Sequence, residues 1–401
     1  MIERLAFSMI RRRDVTRPRI SIDYFADLSF SFHNVQSLHV YEVCRNLEEV
    51  GSDLTLFIPK SRSEMKVTFE LVEIPVPRIL KTVFYQFLVL PKIIRRWHQR
   101  RPDAVYVRVG PYLLTPVLIS RLYRIPVFCE INGALDSELA SSRSVVDRCV
   151  SRLRLVNLVE RLAYKNSRCV IAVTDDIKNH IVERYKLQPE MVEVVENGVD
   201  TERFSPKTPL PKRVNEYTLG YVGSFHEWQG LQYAIRAMAT VRQTYPLATF
   251  EIYGEGSYRK ELVQLIEHLD LGRTVHLNGS VQNADVPDTL TRFDVCIAYY
   301  TNDRSGLTSP FKVYEYLASG KPVIVSNIKG VGDKFSDVTK VVEAENSEDL
   351  AQAIINLLAD KNERCRLGKI GREYVADGHT WRDVSKRILD SIIEHGPSIS
   401  R

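Results

Sequence analysis

No stretch of the 401 residues runs for about 18 apolar positions without interruption, which argues against a membrane-spanning helix. The opening Met1-Ile-Glu-Arg-Leu5 has no apolar core ahead of Arg11-Arg-Arg13, so a secretory leader is not expected. The six cysteines, at 44, 129, 149, 169, 296 and 365, form no Cys-x-x-Cys pair. Without that spacing a zinc site is not expected, and Cys129, Cys169 and Cys296, each inside an apolar run, read as reduced, packed thiols of a cytoplasmic protein. Tandem repeats and low-complexity tracts are also missing. What is present is ordinary: 44% hydrophobic and 26% charged residues, the balance of a folded chain rather than a disordered one. A single core rarely grows past about 250–300 residues, so the length predicts two domains.

Charge is uneven. Residues 1–190 hold 30 Lys and Arg against 21 Asp and Glu, a balance of +9, and the remainder holds 25 against 29, a balance of −4, which together give the net +5. A basic half suits nucleic acid, an anionic membrane or an acidic substrate. Its aromatic residues do not interleave with the basic ones as an RNA-binding surface would require, so nucleic acid is not the expected partner. The segment from Ile79 to Arg101 is apolar with a basic end. It reads either as a helix lying in a membrane interface or as a helix packed on a sheet.

Short apolar runs alternate with helical patterns throughout. Ile20–Ile22, Leu54–Ile58, Ala104–Val107, Pro126–Ile131 and Cys169–Val173 read as strands, and Gln36–Val50 reads as a helix stopped by Gly51. The alternation then restarts with Tyr217–Val222, Ala248–Tyr253, Val275–Leu277, Asp294–Ala298 and Pro322–Val325. Between the two series, Thr201–Asn215 carries Pro206, Pro209 and Pro211, which cannot continue a helix or a central strand. The class is therefore α/β: two doubly wound, Rossmann-like domains facing across a cleft, with ligands expected at loops that follow strands.

The segment Ser309-Pro-Phe-Lys-Val-Tyr-Glu-Tyr-Leu-Ala-Ser-Gly-Lys-Pro-Val-Ile324 reads as loop, short helix and strand. Pro310 suits the first helical turn, where free amides and the positive dipole end attract anions. Lys312 in that turn opposes the dipole unless an anion lies nearby. Glu315, on the same face, is a carboxylate able to accept two hydroxyl hydrogen bonds of a ribose. The alternative is a surface lysine and an ordinary helix glutamate.

Five further segments follow in order: Val195-Glu-Asn-Gly-Val-Asp200 with Phe204-Ser-Pro206, then Tyr221-Val-Gly-Ser-Phe-His-Glu-Trp-Gln-Gly-Leu231, Tyr253-Gly-Glu-Gly256 and Leu277-Asn-Gly-Ser-Val281. With Ser309–Ile324 they resemble the retaining glycosyltransferases of family 4, which have the GT-B fold, from about Ala104 to Trp381. The Ser-Pro-x-Lys-x-x-Glu-Tyr pattern resembles one subgroup of that family. The resemblance implies an acceptor-side domain over 1–198, a linker over 199–215, a nucleotide-sugar domain over 216–378, and a last helix, 379–401, returning to the first domain.

It also implies site roles. Gly223 lies by the donor diphosphate, and Gly254, Glu255 and Gly256 border the donor, with Glu255 contacting the sugar or capping the next helix. Gly279, Ser280 and Val281 read the nucleobase through the main chain. Ser309, Pro310, Phe311 and Glu315 complete the donor site, and Asn132 and Lys312 are the expected catalytic pair. Many relatives have Arg where Ser224 stands, Lys where Gln229 stands, Glu where Leu307 stands and His where Asn132 stands. Lys312 is then expected to supply the missing diphosphate charge. Glu130 reads as a buried carboxylate or an acceptor contact, and His33 and His39 as ordinary histidines. The implied activity is transfer of a sugar from a UDP- or GDP-sugar to a glycan or lipid-linked acceptor, in cell-surface polysaccharide or glycoconjugate synthesis. No cofactor or metal is expected, because no Asp-x-Asp pair precedes a donor loop. The location implied is the cytoplasm or the inner face of the plasma membrane. The alternative is a catalytically silent GT-B protein that binds glycans or a partner.

Overall fold

A strand covered on both faces buries every residue, and Ile20–Phe25 does so at all six positions, with the polar Asp23 held there by a hydrogen bond from Trp97 Nε1 at 2.7 Å. The computed structural model describes residues 19–28, 35–60, 67–77, 81–111, 113–133, 155–208, 211, 213–304 and 309–396. In chain order the first unit contains β1 Ile20–Phe25, α1 Val35–Val50, β2 Ser52–Pro59, β3 Glu70–Ile74, α2 Lys81–Gln99, β4 Ala104–Arg108, α3 Thr115–Tyr123, β5 Val127–Ile131, α4 Leu155–Lys165, β6 Cys169–Ala172, α5 Asp175–Tyr185 and β7 Val192–Val194. Its strands form one parallel sheet in the order β3-β2-β1-β4-β5-β6-β7. Gly51, at φ +118°, turns the chain from α1 into β2 in a conformation an L side chain resists. The strand read at Ile20–Ile22 runs three residues further, because Asp23, Tyr24 and Phe25 are also buried between layers.

The second unit contains β8 Thr218–Val222, α6 Leu231–Thr244, β9 Thr249–Tyr253, α7 Arg259–His268, β10 Val275–Leu277, α8 Val286–Thr291, β11 Val295–Ala298, α9 Phe311–Ala318, β12 Val323–Ser326, α10 Gly332–Phe335, β13 Lys340–Val342, α11 Ser347–Ala359 and α12 Lys361–Ala376. Its parallel sheet has the order β10-β9-β8-β11-β12-β13. Each sheet reverses its winding once, between β1 and β4 in the first and between β8 and β11 in the second. Crevices at such reversals are where open parallel sheets take ligands.

The last helix, α13 Trp381–His395, starts in a capping box in which Thr380 and Asp383 satisfy each other's backbone amides. Its Val384, Ile388, Leu389 and Ile392 join the core that holds Ile22, Val40, Val43 and Leu54, so the chain ends packed on the first sheet. The two passages between units touch: Val199 forms a parallel bridge with Thr380, and its N–H donates to His379 O at 3.0 Å. Arg372 fastens the hinge to α9, donating to Thr201 O, Phe204 O and Ala318 O, each at 2.9 Å. His33, Arg11–Arg13, Cys149, Pro209 and Leu307 lie outside the described residues.

Candidate functional site

Three glycine turns follow β8, β9 and β10 and are sewn together by backbone bonds. Gly223 N–H donates to Tyr253 O at 2.9 Å, Phe225 N–H to Glu255 O at 2.9 Å, and Gly254 N–H to Gly279 O at 2.7 Å. A Cβ on Gly254, which has φ +151°, would lie 1.8 Å from Gly223 O, so this stack of loops closes only with glycine. The result is a rim of main chain at the strand ends, beside the β8/β11 reversal. Ser224 is exposed, as are Glu255 and Ser280, while Val281 packs partly on the second core.

Across the reversal stands the start of α9. Pro310 is the residue before the helix, not a member of its first turn: Phe311 is the first helical residue and Pro310 has φ −87° and ψ 72°. The expectation of free amides there is also reduced, since Phe311 N–H donates to Ser309 O and Val313 N–H to Pro310 O, both at 3.0 Å. Lys312 does not point into bulk solvent. Its Nζ donates to Tyr221 Oη at 2.9 Å and to Gln229 Oε1, and it lies over the rings of Tyr221 and Tyr300, 4.3 and 5.2 Å from their centroids. Burial pulls its pKa down to about 7, against the opposing pull of Glu315. Burial likewise raises Glu315 to about 7, with Arg203 and Lys312 lowering it. An ammonium held by neutral oxygens and ring faces, with no carboxylate bonded to it among the described residues, is a ready counter-charge for an anion. Gln229 is buried, faces Lys312 and accepts from it.

The remaining predicted residues divide. Ser309 Oγ accepts from Asn197 Nδ2 at 2.5 Å, so it joins the two units. Phe311 packs with the first unit's core, its ring 6.3 Å from His39 and 6.1 Å from Trp381. Glu255 does not cap α7: the residue before that helix is Tyr258, and Glu255 pairs with Arg259 at 3.3 Å.

On the first unit's side, Asn132 follows β5 and donates to Glu130 Oε1. Glu130 is a buried carboxylate with many partners: Tyr24 Oη at 3.1 Å, His39 Nε2 at 2.5 Å and Arg108 at 3.4 Å. Burial alone would raise its pKa, but His39, Arg108 and Asn132 hold it well below the usual carboxylate range. His39, read from sequence as ordinary, is buried and links this carboxylate to Phe311 at the start of α9. Sequence reasoning also passed over Asp27, just after β1. Its pKa is raised to about 6 by burial despite nearby Arg108, and its Oδ2 has no hydrogen-bond partner among the described residues. Only its place after a strand beside the sheet reversal would have marked it. Asn197 Oδ1, in the Asn-Gly-Val-Asp stretch, is another buried oxygen without a hydrogen-bond partner among the described residues.

One group of described residues has metal-ligand chemistry: Cys169, Glu193 and His395. Their atoms lie within 4.8 Å of one another at the start of β6, brought together from positions no spacing rule joins, and His395 Nε2 already meets Glu193 at 2.7 Å.

Residues 36–203 match the model of Glycosyltransferase Family 4, and residues 202–374 match that of Glycosyl transferases group 1. Among curated proteins, glycogen synthase of Mycobacterium tuberculosis is 24% identical over 293 residues, 73% of this chain and 68% of that one. The GDP-mannose-dependent monoacylated alpha-(1-6)-phosphatidylinositol monomannoside mannosyltransferase of Corynebacterium glutamicum is 28% identical over 50% of this chain and 55% of its own. Among solved structures, sucrose-phosphate synthase from Thermosynechococcus elongatus superposes with a TM-score of 0.70 at 18% identity, covering 94% of this chain and 99% of that one. Anabaena HepE in complex with UDP and glucose gives 0.71 at 15% identity, covering 94% and 100%. With the two models together spanning residues 36–374 and the fold superposing on these neighbours, the chain belongs to the GT-B glycosyltransferases of group 1 and family 4.

Proposed function

We propose that this protein is a retaining glycosyltransferase that takes its sugar from a UDP- or GDP-sugar and delivers it to a glycan or lipid-linked acceptor at a membrane surface. The observation that carries the reading is the Lys312 ammonium, held between Tyr221 Oη and Gln229 Oε1 beside the Gly223 turn. A diphosphate lying along the glycine rim would meet a cation there in place of the missing Arg and Lys. One relative named for GDP-mannose and neighbours crystallised with UDP support both bases, and the phosphatidylinositol monomannoside in that relative's name supports a lipid-linked acceptor.

In the proposed reaction the bond between the anomeric carbon and the phosphate oxygen breaks and the acceptor oxygen bonds on the same face. The acceptor proton passes to the departing phosphate. Lys312 stabilises the charge that develops on that phosphate. Glu315, beside Arg203, accepts from the ribose hydroxyls, and Asn132, oriented by Glu130, hydrogen-bonds the sugar without titrating. With a lysine supplying the charge, no divalent metal is required, and EDTA should leave turnover unchanged.

The test is release of UDP and GDP from a panel of donors with membrane extract as acceptor. Lys312→Ala should lower turnover at least about tenfold, a loss of about 1.4 kcal/mol. Tight nucleotide binding with no turnover of any donor would overturn the reading in favour of a silent binding protein.

A further inference from the structure

Residues 81–124 contain nine Lys and Arg against a single acid, Asp103, in a chain whose net charge is +5. Here α2 has two faces. Tyr85, Val89, Ile93 and Trp97, four apart, are buried in the first core. The opposite face exposes Phe84, Phe87 and Leu88. The sheet-packing reading of this segment therefore holds for one face, and the other face is left apolar and exposed.

The neighbouring α3 extends the exposed face. The two helices lie side by side and parallel. Gln86 Oε1 accepts from Leu114 N–H at 2.7 Å and Thr115 N–H at 2.8 Å at one end, and Tyr123 Oη meets His98 Nδ1 at 2.7 Å at the other. From α3 project Leu118 and Leu122. Phe87 is 68% and Leu122 76% exposed, which folding gives no reason for. Lys92, Arg95 and Arg101 flank this apolar crest and are exposed.

At the far end, where the chain enters β5 and β6, a depression of about 560 Å³ is lined by Arg121, Arg124, Lys165 and Arg168 over Val127 and Ser167. No acidic side chain lines it. Arg121 donates to Asn166 Oδ1 at 2.6 Å, and among the described residues none of the four cations forms a salt bridge. This is the opposite end of the strands from the glycine rim, so the donor does not account for it.

We propose that this face docks the protein on an anionic bilayer. Phe84, Phe87, Leu88, Leu118 and Leu122 seat in the boundary between headgroups and acyl chains, and the pocket of Arg121, Arg124, Lys165 and Arg168 holds the phosphate of an anionic phospholipid. An apolar crest ringed by charge of one sign fits a lipid surface, whereas a protein interface is depleted of charge at its centre and mixed at its rim. The start of α2 stands at the same strand ends as the cleft, so docking sets the cleft mouth beside the bilayer. This deepens the membrane part of the proposed function. It does not depend on turnover, so its failure and that of the transferase reading are separable.

The test is co-sedimentation with vesicles of phosphatidylcholine alone or with 30% phosphatidylglycerol, without nucleotide or acceptor. The wild type should bind the anionic vesicles, more weakly as salt rises, and not the neutral ones. Arg124→Gln with Arg168→Gln should lower the partition roughly thirtyfold, as expected for two charges near an anionic surface. Phe87→Ser with Leu122→Ser should lower it at least about tenfold, with UDP and GDP binding unchanged in both variants. Absence of wild-type binding overturns the proposal. So does loss in the arginine variant alone, which would mark a pocket for free anions, and so does unchanged binding in both variants.

Discussion

Lys312 Nζ stands 3.1 Å from the point where a Cβ on Gly223 would sit, and Tyr221 Oη stands 2.8 Å from it. The absent side chain is what lets the cation reach the rim. Gly223→Ala should therefore displace the ammonium or the tyrosine and weaken UDP or GDP binding by about tenfold. The cost in stability should be about 1–3 kcal/mol, the range for overpacking. Calorimetric titration beside a thermal melt separates the two effects.

Nucleotide binding should take up protons. Lys312, with a pKa of about 7 from burial, loses its charge in the free protein as pH rises through 7. A bound diphosphate favours the ammonium, so the complex keeps the proton to higher pH. Affinity should thus fall as pH rises from 7 toward 9. At pH 8 the binding heat should differ between buffers of unlike ionisation enthalpy. Glu315 also titrates near 7, so the comparison is with Lys312→Met, which keeps that carboxyl and should lose most of the uptake.

Glu130→Gln should destabilise the first unit. It leaves His39 and Arg108 facing a neutral amide, and breaking such a buried pair costs about 3–5 kcal/mol. The sign with pH is fixed by the depressed carboxyl. Its contribution is present above the unfolded value, near pH 4.3, and fades as pH falls further through the folded value. Denaturant midpoints of wild type and variant should therefore differ most near neutrality and converge in acid.

Arg372→Ala removes the donors from Thr201 O, Phe204 O and Ala318 O. At about 1–3 kcal/mol for a buried acceptor left unpaired, the hinge should loosen before the sheets do. Faster limited proteolysis near residues 201–215, with the bulk melting transition moved less than the cleavage rate, is the expected outcome.

Ten of the thirteen strands were legible because parallel strands buried on both faces leave largely apolar runs; the edge strands β3, β7 and β13 were not, since they are short, only half-buried and carry charged residues among the apolar ones. The hinge was legible because proline fits neither element. Lys312 was legible because a lysine at a helix start needs an explanation. Gln229 was harder: a residue read as a lost cation is an acceptor for a cation supplied from elsewhere. His39 was missed because nothing near it in sequence announces Glu130, which arrives from another strand. The Arg121–Arg168 pocket escaped for the same reason, its charges lying on two separate approaches to neighbouring strands. Pro310 was placed one position too far in, a boundary that depends on backbone angles rather than on residue type.

The rung between Val199 and Thr380 has a mechanical consequence. A lone tether lets two bodies swivel freely, but a pair of chains joined side by side resists torsion while still bending. Rotation of one lobe about the axis joining it to the other should therefore meet more resistance than bending across that axis.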